Sequence, residues 1–134
     1  MLYLATSIET AIGECMQGFA NRMPPLTICE YDVDCEAIAD MSTGAGRKAL
    51  KVVLKALSCP WKELMAKGKP VPSWEVAADL EAQGFAGMLV PSFFAGATAK
   101  HINLVLWDWS DAPPNMVKVH DPSARLPRNR KSWG

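Results

Sequence analysis

The sequence predicts one compact α+β domain: a bent mixed sheet with helices flanking it. Three observations carry that prediction. The chain has 134 residues, 49% of them hydrophobic, which is the size and composition of a single folded domain with one core. Two apolar runs, Phe85–Val90 and His101–Trp109, have the length and pattern of strands. Helical spacings are interleaved irregularly with them, and no G-x-G-x-x-G opens a helix after a strand, which argues against a Rossmann domain.

The chain opens on Leu2–Ala5, an apolar strand. Thr6-Ser7-Ile8-Glu9 then fits a capping box, with Thr6 as the cap and Glu9 reaching back to its N–H. Ile8, Ala11, Ile12, Cys15, Met16 and Phe19 recur at helical spacing and predict the buried stripe of the first helix. Glu14 falls off that stripe among the small neighbours Thr10, Ala11 and Gly18. Such a carboxylate is either a solvated helix residue or one that a ligand can approach closely.

Gly18–Pro25 reads as a loop closed by Pro24-Pro25. Leu26–Val33 predicts a strand that loses burial toward its C-terminal end, and Cys35–Met41 a second short strand or turn. The acids Asp32, Asp34, Glu36 and Asp40 lack the glycine and terminal glutamate of a calcium loop and read as a solvated edge. Ser42–Lys48 lacks the four-residue spacer of a P-loop, although its amides and cations at a helix start are a possible anion contact.

Arg47–Leu57 predicts an amphipathic helix with Leu50, Val53, Leu54 and Leu57 inward. A short helix follows from Pro60, with Trp61 a core aromatic. Ser73 caps a helix running to about Gln83, which Gly84 ends. Phe85–Val90 is a buried strand, and Ser92 stands immediately beyond it at the rim of the sheet. No G-x-S-x-G surrounds Ser92, so a hydrolase elbow does not fit. Along His101–Trp109, Ile102, Leu104 and Leu106 share one face while Asn103, Val105 and Trp107 share the other. Asn103 is either a satisfied structural amide or a site residue. After Pro113-Pro114 come a last strand, Met116–His120, and a basic tail with Arg125, Arg128, Arg130 and Lys131.

Composition removes several classes of function. Lys plus Arg and Asp plus Glu number 14 each, so no broad positive field favours nucleic acid. No apolar run approaches the roughly 20 residues of a membrane span, and the start lacks the features of a signal peptide. Cys15, Cys29, Cys35 and Cys59 form no C-x-x-C pair, which points to a reducing, cytoplasmic location, and two histidines are too few and too scattered for a zinc site.

LYLATSIETAIGE, then GMLVPSF and NLVLW in that order, resemble the RES domain, a family named for a recurring Arg, Glu and Ser that supplies the toxin of toxin–antitoxin pairs. The likeness runs from Leu2 to Trp133. It implies a fold like that of ADP-ribosyltransferase toxins and cleavage of NAD, as substrate, between nicotinamide and ribose. ADP-ribose would pass to water, phosphate or a protein target. By that resemblance Glu14 is the catalytic carboxylate, Tyr3 the ring that stacks on nicotinamide or ribose, and Ser92 and Asn103 polar anchors for the dinucleotide. The family's Arg lies in a segment ahead of the LYL strand and is expected to be missing here, with Arg47 the first substitute for holding pyrophosphate. The expected partner is an Xre-like antitoxin in a hetero-oligomer built on a toxin dimer, with DNA reached only through the antitoxin. The tail from Arg125 and the loop Phe93-Phe94 are candidate contact surfaces. Without the Arg segment, the alternative is a catalytically inactive domain that only binds antitoxin or NAD.

Overall fold

The computed structural model describes residues 1–17, 25–59 and 61–126. Among the described residues, six strands and five helices follow one another as β1 (Leu2–Ala5), α1 (Ile8–Gln17), β2 (Tyr31–Cys35), β3 (Ile38–Asp40), α2 (Gly44–Ala49), α3 (Leu54–Leu57), α4 (Trp61–Ala66), α5 (Pro72–Ala82), β4 (Gly87–Pro91), β5 (Ile102–Leu106) and β6 (Asn115–Val119). The α+β class is the one predicted. The strands, however, form two sheets: a four-stranded one in the order β1-β5-β4-β3 and a ribbon of β2 with β6. β5 lies antiparallel between β1 and β4, and β3 runs parallel to β4.

The alternation along β5 decides what each face of the main sheet does. Leu104 and Leu106 point to one side and pack with Val117 of the ribbon, joined by Leu2, Leu4, Ile38 and Leu89. Val105 points to the other side, into a core with Ala39, Met41, Met88 and the helix residues Ala77 and Leu80. Burial of these aliphatic side chains, at about 1.5–3 kcal/mol each, fixes the register. It also fixes that Tyr3, opposite Val105, and Val90, opposite Asn103, share the helix-covered face.

Several elements differ from expectation. Leu26 and Ile28 are exposed and belong to no strand; β2 starts at Tyr31, is exposed along most of its length and gains burial only at Cys35. The predicted helix Arg47–Leu57 is two short helices, because Lys51 takes a left-handed backbone with φ 57° and stops the first. That break turns Val53 and Leu54 outward and leaves Leu50, Val52 and Leu57 against the core. Helix α5 starts earlier than predicted, with Val71 in place of Ser73 as cap and Pro72 at the first helical position. Gln83 is its C-cap, followed by Gly84 with φ 94°, as expected.

The predicted loop 18–25 except Pro25, the helix start at Pro60, the burial of Trp61 and the tail residues Arg128, Arg130 and Lys131 lie outside the described residues. Among the described residues no helix is long and apolar enough to cross a membrane.

Candidate active site

The start of α1 sets the position of everything that follows. Thr6 is not its cap. Both its N–H, at 3.0 Å, and its hydroxyl, at 2.8 Å, donate to the Ile102 carbonyl, which extends the β1–β5 ladder by one residue. Ser7 is the cap instead: its Oγ accepts from the Thr10 N–H at 3.1 Å and lies 2.8 Å from the Thr10 hydroxyl. Glu9 therefore closes no capping box.

The helix also presents the face opposite to the predicted one. Ile8 is 64% exposed and Met16 52%, whereas Thr10 is wholly buried. The reason lies at Gly13. A Cβ there would stand 2.5 Å from the ring of Phe94, so only glycine lets that ring approach the helix so closely. Phe94 in turn meets His101 edge to face, with ring centroids 5.0 Å apart. The buried His101 accepts at Nδ1 from the Thr98 N–H at 2.8 Å, and its Nε2 lies 3.3 Å from Glu9 Oε1 without hydrogen-bond alignment. Small residues on α1 thus admit the 93–101 loop, and the apolar stripe is left outside.

Seated in this way, α1 carries Glu14 to the end of β4 and the start of β5. The Ser92 hydroxyl donates to Glu14 Oε1, and the Asn103 side-chain amide donates to the same oxygen at 2.6 Å. Among the described residues, Oε2 accepts no hydrogen bond. One oxygen of the carboxylate is thus held from two strand termini. Ser92 owes its place to the β4–β5 pairing, since its N–H donates to the His101 carbonyl at 2.9 Å.

Glu14 and Asn103 open into a cleft of about 760 Å3, within the roughly 300–1,000 Å3 usual for small-molecule sites. Tyr3, 66% exposed, stands on the β1 wall; Val90, Pro91 and Phe93 continue the β4 wall; Leu57, Ser58, Cys59, Ser73 and Trp74 form the far wall from α3 and α5. Glu14 is the one charged side chain among the described lining residues. A carboxylate fixed by two donors, facing an open, largely apolar cleft beside a phenol, suits stabilisation of a positive charge that develops in a bound ligand.

Four of the five residues singled out in the sequence converge here: Tyr3, Glu14, Ser92 and Asn103. Ser92 is buried and stands behind Glu14, so its hydroxyl orients the carboxylate where a direct contact with ligand was expected. Arg47 does not join them. Its guanidinium donates to the Met41 carbonyl at 2.9 Å, and it is not among the residues lining the cleft. The glycine beside it is explained by packing, because a Cβ on Gly46 would fall 1.8 Å from the Asp40 carbonyl oxygen. The packing of Phe94 against Gly13 and His101 escaped the sequence reading, which took Phe94 only as part of a candidate contact surface. Its only trace is a glycine inside a helical pattern, which marks a close approach without saying of what.

The sequence model of one family, described as RES domain, matches residues 1–129. No curated protein and no solved structure matches the chain.

Proposed function

The chain belongs to the RES domain family, which is associated with toxin–antitoxin modules and generally pairs with an antitoxin, and from that premise we propose that it is a toxin that cleaves NAD between nicotinamide and ribose. The observation that carries the reading is the Glu14 carboxylate, held through Oε1 by Ser92 and Asn103 and open to the cleft through Oε2.

The chemistry asks for little more at the reacting carbon. The bond from ribose C1′ to the pyridinium nitrogen breaks, and its electron pair neutralises the ring, which leaves as nicotinamide. Positive charge builds on C1′ and the ring oxygen. A carboxylate fixed beforehand stabilises that charge without having to reorganise, as in glycoside cleavage. Tyr3 offers a ring to stack on nicotinamide or ribose. The Asn103 amide keeps a second N–H for a ribose hydroxyl. An acceptor of ADP-ribose (water, phosphate or a protein nucleophile) then adds at C1′ and gives up a proton. The partner under this reading is an Xre-like antitoxin that blocks the cleft and carries the only contact with DNA.

The test is release of nicotinamide from NAD by purified protein, with Glu14→Gln alongside. Release by the parent, lowered at least ~100-fold in the variant, is the expected result. No release from a folded, antitoxin-free parent overturns it.

One observation favours a second reading, a domain that binds antitoxin or NAD without turnover. Among the described residues no Lys or Arg side chain lines the cleft, so nothing there pairs with the pyrophosphate. Under that reading NAD binds and nicotinamide is not released.

A further inference from the structure

The ribbon of β2 and β6 takes no part in the chemistry just described, and none of its residues lines the cleft. Its backbone shows which groups are still open to a partner. The His120 N–H donates to the Glu30 carbonyl at 2.7 Å, just beyond the Tyr31–Val119 pair. Antiparallel pairing alternates, so Asp32 and Asp34 also turn their backbone groups toward β6, while Tyr31 and Val33 turn theirs away from it. The far side of β6 agrees: the Asn115 carbonyl accepts from the Ser110 N–H at 2.9 Å, and the Val117 N–H donates to the Ser110 carbonyl at 2.8 Å. Among the described residues, nothing pairs with the outer edge of β2.

The side chains follow the same alternation. Tyr31 and Val33 share a face with Val119 and Val117. Val117 is buried in the core, whereas Tyr31, Val33 and Val119 are each exposed by 40% or more. The opposite face carries the exposed acids Glu30, Asp32 and Asp34. Lys118 and His120 of β6 share that face, and His120 Nδ1 lies 3.5 Å from Asp32. The open edge therefore offers unpaired amides and carbonyls between an apolar face and an acidic one.

Charge decides the occupant. Two copies of β2 paired antiparallel about Val33 would set Asp32 of each against Asp34 of the other, which is destabilising. The same acids repel nucleic acid and anionic lipid. We propose that the outer edge of β2 takes up an extended segment of a partner protein as an added strand. Aliphatic side chains of that segment cover Tyr31 and Val33, and Lys or Arg at the alternate positions face Asp32 and Asp34. Main-chain hydrogen bonds to Tyr31 and Val33 supply affinity, and the alternation of basic and aliphatic side chains supplies specificity.

The test titrates a capped peptide of alternating Lys and Val into the full chain, following the backbone amide resonances of Tyr31 and Val33. Saturable shifts at both are expected. The same peptide N-methylated along its backbone should bind at least about 10-fold more weakly, the scale of losing two hydrogen bonds. Asp32→Asn combined with Asp34→Asn should weaken binding about fivefold, the scale of two exposed ion pairs. Val33→Pro removes an N–H that β6 does not use, so β6 resonances should hold while peptide binding, read at Tyr31, falls at least about 10-fold. Unmoved Tyr31 and Val33 amides overturn the proposal, as does equal binding of the N-methylated peptide or of one with Glu in place of Lys. Self-association of the chain that Val33→Pro abolishes also overturns it, by making a second copy the occupant. None of these readouts depends on nicotinamide release, so this proposal and the cleavage reading stand or fall separately.

Discussion

Asn103 on β5 and Glu14 on α1 are 89 positions apart in sequence and 2.6 Å apart at the side-chain amide and carboxylate. The amide and the Ser92 hydroxyl converge on one carboxylate oxygen, so the two donors hold a single orientation jointly. Removing either lets the carboxylate rotate, and a misplacement near 1 Å costs about 100-fold in rate. Asn103→Ala and Ser92→Ala should each lower kcat for nicotinamide release by roughly 10- to 100-fold. The double variant should lose little more than the worse single one, because both act through the same atom. Steady-state kinetics of the four proteins would check this; fully multiplicative losses would mean that the two side chains act separately.

Gly13→Ala sets two known effects against each other. In a helix interior alanine is better than glycine by about 0.8–1.0 kcal/mol, so propensity alone predicts stabilisation. The new Cβ would stand 2.5 Å from Phe94, whose ring is itself pinned against His101. Overpacking of that kind costs about 1–3 kcal/mol and should win. Urea denaturation should show a net loss in Gly13→Ala, and the loss should shrink or reverse in a Phe94→Leu background. Stabilisation in the parent background would mean that the loop does not lie against α1 as described.

The contrast between these two regions explains how much was legible in the sequence. β4 and β5 were readable because both faces of each are packed, so their apolar runs and the alternation of Leu104 and Leu106 against Asn103 and Val105 follow directly from burial. Glu14 was readable as a position but not as an orientation. Periodicity assigns the inward face to Ile8, Ile12 and Met16, whereas the fold buries Thr10 and packs Gly13 because a loop far along the chain supplies the ring that fills the gap. Lys51 is a similar case: no local residue preference predicts a lysine in the left-handed region, so the split of α2 from α3 is tertiary in origin. Ser73 looked like a helix cap by residue type, and Pro72 overrode it by fixing the first helical position.

Arg47 separates a binding role from a structural one. Its guanidinium donates to the Met41 carbonyl, and Met41 is wholly buried in the core. Arg47→Met removes a charged donor from a buried carbonyl, a change worth about 1–3 kcal/mol. Thermal or urea unfolding should register that loss, while KM for NAD stays within about twofold, since a residue outside the cleft adds no ground-state binding. A large rise in KM at unchanged stability would return Arg47 to the pyrophosphate.

The cysteines report on both the ribbon and the cleft. All four are free; Cys15 and Cys29 are exposed, while Cys35 lies half-buried where β2 meets the core. Burial pushes the Cys35 thiol above its ordinary value of 9.0, and the neighbouring Asp34 carboxylate pushes it further the same way. Only the thiolate reacts, so near pH 8 an alkylating reagent should modify Cys15 and Cys29 first and Cys35 more slowly than either. The sign of the linkage follows. The folded thiol keeps its proton at pH values where the unfolded one has lost it, so any stability this group contributes declines as pH rises past 9.0. Asp34→Asn should hasten Cys35 labelling modestly, because burial is the larger of the two causes. Cys15 differs from Cys29 in lining the cleft. Under the proposed function, NAD should protect Cys15 and leave the rate at Cys29 unchanged. Peptide mass spectrometry over a labelling time course reads all three sites at once. Equal protection of Cys15 and Cys29 would point to a general tightening of the chain, and no protection of Cys15 at saturating NAD would place the dinucleotide elsewhere.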